Sequence, residues 1–169
     1  MNKLRRSYEA RVLLIPLGPS GLRTADEMAR AGLDGLVVAT VDPSVPQQDG
    51  QGLIAVSRPL GAHGWREPSP GEPLHHVVRD ADIVILLASD LSDVSAALCE
   101  EAAAAASRSG ALTAAVVVGS GHWDTHAGST GMVALRRSVD MLVVVKGLQL
   151  AAPFLDVLRG GARPDVVVA

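Results

Sequence analysis

The chemistry in this chain is densest in the segment Gly119-Ser120-Gly121-His122-Trp123-Asp124-Thr125-His126. There His122, Asp124 and His126 alternate imidazole and carboxylate groups, a mixture that can ligate a metal or move protons near neutral pH. Nothing in the spacing sets a tetrahedral ligand geometry, and no metal site is expected. Trp123 is one of two tryptophans, and an aromatic placed in a polar loop suits a partner or a planar ligand. A second cluster holds His63, Trp65, His75 and His76. The candidates for acid–base work are therefore His122, Asp124, His126 and His63. No Ser-His-Asp spacing and no nucleophile elbow accompany them, so a hydrolase does not follow. A third segment, Ser89-Asp90-Leu91-Ser92-Asp93, supplies hydroxyls and carboxylates. Its types suit capping of the following helix by Ser92 or Asp93 as well as they suit a ligand loop.

Loops of this kind need rigid elements behind them, and the apolar runs say which. Val12–Ile15, Leu36–Val41, Asp82–Ala88, Leu112–Val118 and Met141–Val145 are continuous apolar segments with little alternation. Helical patterns fall between them at Thr24–Ala31, about Val94–Arg108, and a short stretch ending near Ser138. Strands apolar on both faces and separated by helices predict a Rossmann-like three-layer α/β sandwich, with a mostly parallel sheet and helices on both sides. In such a sheet ligands bind at strand C-termini beside helix N-termini, so the loops after Ala88, Val118 and Val145 are the places to look. Leu53–Val56 is a short extra strand, Arg58–Gly71 a long shaped loop, and Pro73–Arg79 a short helix. Gln149–Leu158 is a helix interrupted early by Pro153, and Asp165–Ala169 a last strand or ordered tail. Residues 1–11 read as a flexible leader and residues 12–169 as one domain.

Composition narrows the function. Hydrophobic residues make up 48% of the 169 but aromatics only 2%, so the core is aliphatic and an aromatic nucleic-acid platform is not expected. The net charge of -3, with no basic block, speaks against phosphate-backbone binding. The one cysteine, Cys99, excludes an internal disulfide and falls in the alanine-rich helix, where a small buried thiol is the expected role. No apolar run approaches a membrane span and no secretory signal is visible, so a cytoplasmic protein without membrane insertion is expected.

Gly110-Ala111-Leu112-Thr113 through Val118, followed by Gly131-Met132-Val133-Ala134-Leu135-Arg136 and Val139-Asp140-Met141-Leu142-Val143-Val144-Val145, resembles the nucleotide-binding half of the FtsZ/tubulin family. Leu60-Gly61-Ala62-His63-Gly64-Trp65 is similar to that family's phosphate loop, and Ala31–Gly35 with Val38–Asp42 to its second strand. The resemblance covers roughly Val12 to Leu150. It implies a ligand cleft bordered by Gly18, Ser20, Gly21, Gly61, Ala62, His63, Gly64, Trp65, Ser89, Asp90, Ser92, Asp93, Gly121, His122 and Trp123. The family's glycine-rich signature loop, however, is replaced after Ala88 by Ser89–Ser95 with no glycine. Gly147, with Lys146 beside it, stands where a base-contacting Asn is expected. Two carboxylates in place of glycines repel a triphosphate unless a cation intervenes. The resemblance thus implies a bacterial, stand-alone, degenerate FtsZ-like protein without GTPase activity, acting as a binding, regulatory or self-assembling module. Its expected partners are a further copy of itself, as a homo-oligomer, or a related FtsZ-like subunit, and no nucleic acid. No cofactor is expected. Two alternatives stay open: a small enzyme reusing the cleft, and a switch that binds GTP or another nucleotide without hydrolysing it.

Overall fold

In a computed structural model, residues 9–42, 50, 52–121 and 123–161 are described. The apolar runs become β1 (Val12–Pro16), β2 (Leu36–Val41), β5 (Ile83–Asp90), β6 (Leu112–Gly121) and β7 (Met141–Val145), all parallel to their neighbours among these five. Between them run α1 (Gly18–Arg30), α3 (Ala96–Ser109) and α4 (His126–Ser138), and α5 (Leu148–Arg159) follows β7. A hairpin of β3 (Ile54–Leu60) and β4 (Ser69–Pro73), then α2 (Leu74–Arg79), joins β2 to β5. The seven-stranded sheet has the order β4-β3-β2-β1-β5-β6-β7, with β3 and β4 antiparallel.

Both faces of the sheet are buried, which is why its central strands carry no polar alternation. One face packs Leu13, Ile15, Val84 and Leu86 against α2, α3 and α4; the other packs Leu14, Val38, Ile85 and Val116 against α1 and α5. The α/β sandwich expected from the sequence is the one observed. Among the described residues, no helix is long and apolar enough to cross a membrane.

The limits of α3 follow its sequence. Ser95 caps the start by accepting from the Leu98 N–H at 3.3 Å, and Gly110 ends it in the left-handed conformation at φ 77°. Within α3 Cys99 is fully buried, and burial, with the nearby Glu100 charge, pushes its thiol pKa up to about 12. It is a packing group, protonated at physiological pH, and has no thiolate to offer as nucleophile.

Three elements differ from the sequence expectation. Arg58–Gly71 is not one loop: Arg58–Leu60 complete β3, and Ser69–Pro73 form β4. The turn-rich string Ser-Pro-Gly-Glu-Pro is tolerated as a strand because it lies at the sheet edge, where missing N–H groups and a register shift cost little. Helix α1 starts at Gly18, not Thr24, because Pro19 fits the first turn of a helix. Pro153 lies inside α5 without ending it. At the start of the described chain Ala10 N–H donates to the Arg159 carbonyl at 2.9 Å and Arg11 N–H to Asp82 Oδ2 at 2.7 Å, so these leader residues are anchored. The rest of the leader, residues 1–8, and the expected tail strand Asp165–Ala169 lie outside the described residues.

Candidate functional site

Strand order reverses between β1 and β5: β1 is followed by α1 on one face, β5 by α3 on the other. A crevice outside the carboxyl ends of these strands is the standard ligand position of an open α/β sheet. Its walls are the turn Leu17–Ser20, opening α1, and the segment Asp90–Ser95, which includes a 3-10 turn at Leu91–Asp93.

In phosphate-binding folds the N–H groups opening the first helix point at the ligand. Here one of them, the Ser20 N–H, meets a carboxylate of the same chain. Leu17 stands at the N-cap of α1 and has no side-chain acceptor, so the helix start lacks a local cap. Asp93 supplies it from the neighbouring strand's loop, its Oδ2 accepting from the Ser20 N–H at 3.2 Å. Gly18, at φ 71°, makes room for this: a Cβ there would come within 2.5 Å of the Asp93 Cβ. The anion position at the switch point is thus filled by Asp93.

Around it the polar groups serve one another. Asp90 accepts from the Ser92 N–H at 2.9 Å and from the Ser92 hydroxyl at 2.6 Å, closing the turn. Thr24 bonds back to the Ser20 carbonyl at 3.1 Å and shares a short hydroxyl contact with Ser89. Gly21 lets α1 lie against the Leu87 carbonyl, where a Cβ would sit at 2.6 Å. Capping was expected of Ser92 or Asp93 toward α3. The cap of α3 is instead Ser95, Asp90 caps the 3-10 turn, and Asp93 caps α1. Thr24, expected only as the first residue of a helix, lies instead one turn inside α1, where its hydroxyl reaches back to Ser20.

Replacing Asp93 with Ala is expected to cost about 0.5–2 kcal/mol, the range for losing a helix N-cap. Urea unfolding would check it, with Ser92→Ala alongside as the change that leaves the α1 cap in place.

The loop after β6 reaches the same edge: Asp90 pairs with Gly121 across β5 and β6. Trp123, Asp124 and His126 are exposed there, and Thr125, not a histidine, is the structurally committed residue, capping α4 by accepting from the Gly128 N–H at 3.0 Å. His122 lies outside the described residues. Among the described residues no three His, Cys, Asp or Glu side chains gather as a metal site.

The second glycine loop is elsewhere. Because β3 runs antiparallel to β2, Leu60 pairs with Leu36, the first residue of β2. Gly61, Ala62, His63, Gly64 and Trp65 therefore sit at the amino edge of the parallel strands, across the sheet from Gly18, Ser20, Gly21, Ser89, Asp90, Ser92, Asp93 and Gly121. Trp65 confirms the position by donating its indole N–H to the carbonyl of Val12, the first residue of β1, at 2.9 Å. His63 is held by Asp34, which accepts from its backbone N–H at 2.8 Å and contacts its Nδ1 at 2.5 Å. Burial pushes the Asp34 carboxyl up, but the bonds from His63, its charge and the Gly35 N–H outweigh that and hold it below the ordinary carboxylate value. The single cleft expected to hold both glycine loops is thus two separate edges. His75 and His76 meet edge to face in α2, with centroids 4.5 Å apart.

At the amino edge a groove of about 780 Å³ lies between Ala31–Asp34 and the α5 residues Gln149, Ala152, Pro153 and Asp156. Compared with protein families and with curated proteins, the chain matches none.

Proposed function

We propose that this chain is a nucleotide-independent α/β binding module, a degenerate relative of the FtsZ/tubulin core that acts through protein contacts rather than catalysis. The observation that carries this reading is Asp93. Its carboxylate occupies the α1 N-terminus, in the position where a nucleotide phosphate would need those N–H groups. A phosphate entering there must displace an internal cap and lie beside Asp93 and Asp90, with Coulomb repulsion from both. The separation of the two glycine loops adds to it, since Gly61 and Gly64 stand on the far edge from Gly18 and Gly21. An enzyme reading draws less support: His63 is across the sheet from Asp124 and His126, so these groups do not share one substrate.

Calorimetric titration of the purified chain with GTP, GDP and ATP in the presence of Mg²⁺ tests the proposal. No binding heat is expected up to millimolar nucleotide. Micromolar affinity for any of the three would replace this reading with a nucleotide-switched module.

A further inference from the structure

Among the described residues β7 has a neighbouring strand on its β6 side only. Its sequence, Met-Leu-Val-Val-Val, has high strand propensity, and Met141 and Val144 are 41% and 48% exposed. An open edge with this composition invites strand pairing unless something blocks it. The other end of the sheet shows what blocking looks like. In β4, Pro70 and Pro73 lack N–H groups, the pairing slips register, and Glu72 is tied to Arg66 at 2.6 Å. None of these devices is present in β7.

We propose that β7 pairs antiparallel with β7 of a second copy, joining two sheets across a two-fold axis at Val143. The charges flanking the strand identify the occupant. In that register Met141 faces Val145, Leu142 faces Val144, and Asp140 faces Lys146 of the other copy, so both ends of the strand meet an opposite charge. A strand that is apolar at its centre, acidic at its start and basic at its end is complementary to itself when reversed. Asp140 and Lys146 are both exposed. Asp140 binds the Thr113 N–H and hydroxyl through Oδ2 alone, at 3.0 and 2.9 Å, which fixes the start of β7 beside β6. Helix α5 widens the contact. Its groove side carries Gln149, Ala152, Pro153 and Asp156 toward α1, and its sheet side Ala151 and Leu155. At 100° per residue Phe154 and Leu158 then lie on the side away from α1, toward the β7 edge. Both are partly buried against the chain's own core, and what they leave exposed adds to the strand contact. With β4 blocked, only one edge can pair, so the assembly closes as a dimer and does not propagate.

This inference goes beyond the nucleotide-independent reading and rests on β7, so the two can fail separately. The test is sedimentation equilibrium of the full chain across the micromolar range, with amide hydrogen exchange at residues 141–145. A dimer with protected β7 amides is expected. Lys146→Glu sets acidic groups opposite each other at both ends and is expected to weaken the dimer about tenfold or more. Val144→Lys, a charge on an already exposed edge position, is expected to abolish it while leaving the melting of the monomer unchanged. A wild-type monomer would overturn the proposal, whether its β7 amides exchange freely or are protected by another part of the same chain. So would a dimer indifferent to both substitutions, or an open polymer.

Discussion

Replacing Arg159 with methionine is expected to cost about 3–5 kcal/mol. The guanidinium is buried with its partner: Arg159 and Glu9 are 3% and 4% exposed, and Nη1 meets Glu9 Oε1 at 2.7 Å. Nη2 is held by Asp156 Oδ1 at 2.5 Å and by the Gly161 carbonyl at 2.7 Å. Burial lowers the pKa of the guanidinium, but Asp156 and Glu9 together outweigh it and raise the pKa, so the charge persists at any working pH. A buried ion pair adds little net stability, because desolvation offsets its attraction; removing one partner is costly because the other stays buried and charged. Methionine fills much of the space, so the loss reports a buried Glu9 carboxylate deprived of its guanidinium and not a cavity. Glu9→Gln is expected to cost less, since Arg159 keeps Asp156. The double variant is expected to recover part of the sum, an interaction of at least about 0.5 kcal/mol in a double-mutant cycle. Urea unfolding of the four proteins checks this. A loss below about 1 kcal/mol for Arg159→Met, the value typical of an exposed pair, would contradict the burial of this bridge. Because the two residues lie 150 positions apart, the same bridge links the start of the described chain to its end.

How far the sequence reveals this molecule depends on whether a feature is local. Val12–Ile15, Leu36–Val41, Leu112–Val118 and Met141–Val145 were legible as strands because burial on both faces forces a continuous apolar run. Gly110 marks the end of α3 by residue type alone, whereas its start, at Ser95, was hidden among the neighbouring cap-type residues Ser92 and Asp93. The direction of β3 was not legible, since no local signal separates a parallel from an antiparallel partner for Ile54–Leu60. Yet that direction decides which edge of the sheet receives Gly61–Trp65. A motif can keep its spacing while its neighbourhood is set by a strand running the other way. The same limit hid the partner of Asp93. Its type suggested a cap, but the helix it caps begins 75 residues earlier in the sequence and reaches it only across the sheet. His63 was visible as a candidate, whereas Asp34 was not, since a carboxylate before a strand has no distinctive spacing. Where function depends on which loops share an edge, topology carries the information that residue types lack.

Gly131→Ala is expected to destabilise the fold by about 1–3 kcal/mol, the cost of overpacking a tight contact. By helix propensity alone the sign would be opposite, since alanine is favoured over glycine by about 0.8–1 kcal/mol inside a helix. What reverses it is the closeness of α4 to the loop after β5. A Cβ on Gly131 would overlap the Leu91 carbonyl oxygen and stand 3.1 Å from the Val94 Cβ. The obstacle is backbone, so no rotamer change relieves it; α4 or the 3-10 turn must move. That turn carries Asp93, whose carboxylate caps α1 on the other face of the sheet. The substitution should therefore loosen a cap it does not touch. In Gly131→Ala the further loss on adding Asp93→Ala is expected to shrink, a coupling of at least about 0.5 kcal/mol between residues on different elements. Ser129→Ala, exposed on the same helix, isolates the propensity gain and should be neutral or slightly stabilising. Thermal or urea unfolding of the set decides the matter. Stabilisation by Gly131→Ala would mean that α4 does not approach Leu91 so closely. Strict additivity with Asp93→Ala would mean that the two sides of the switch-point crevice move independently.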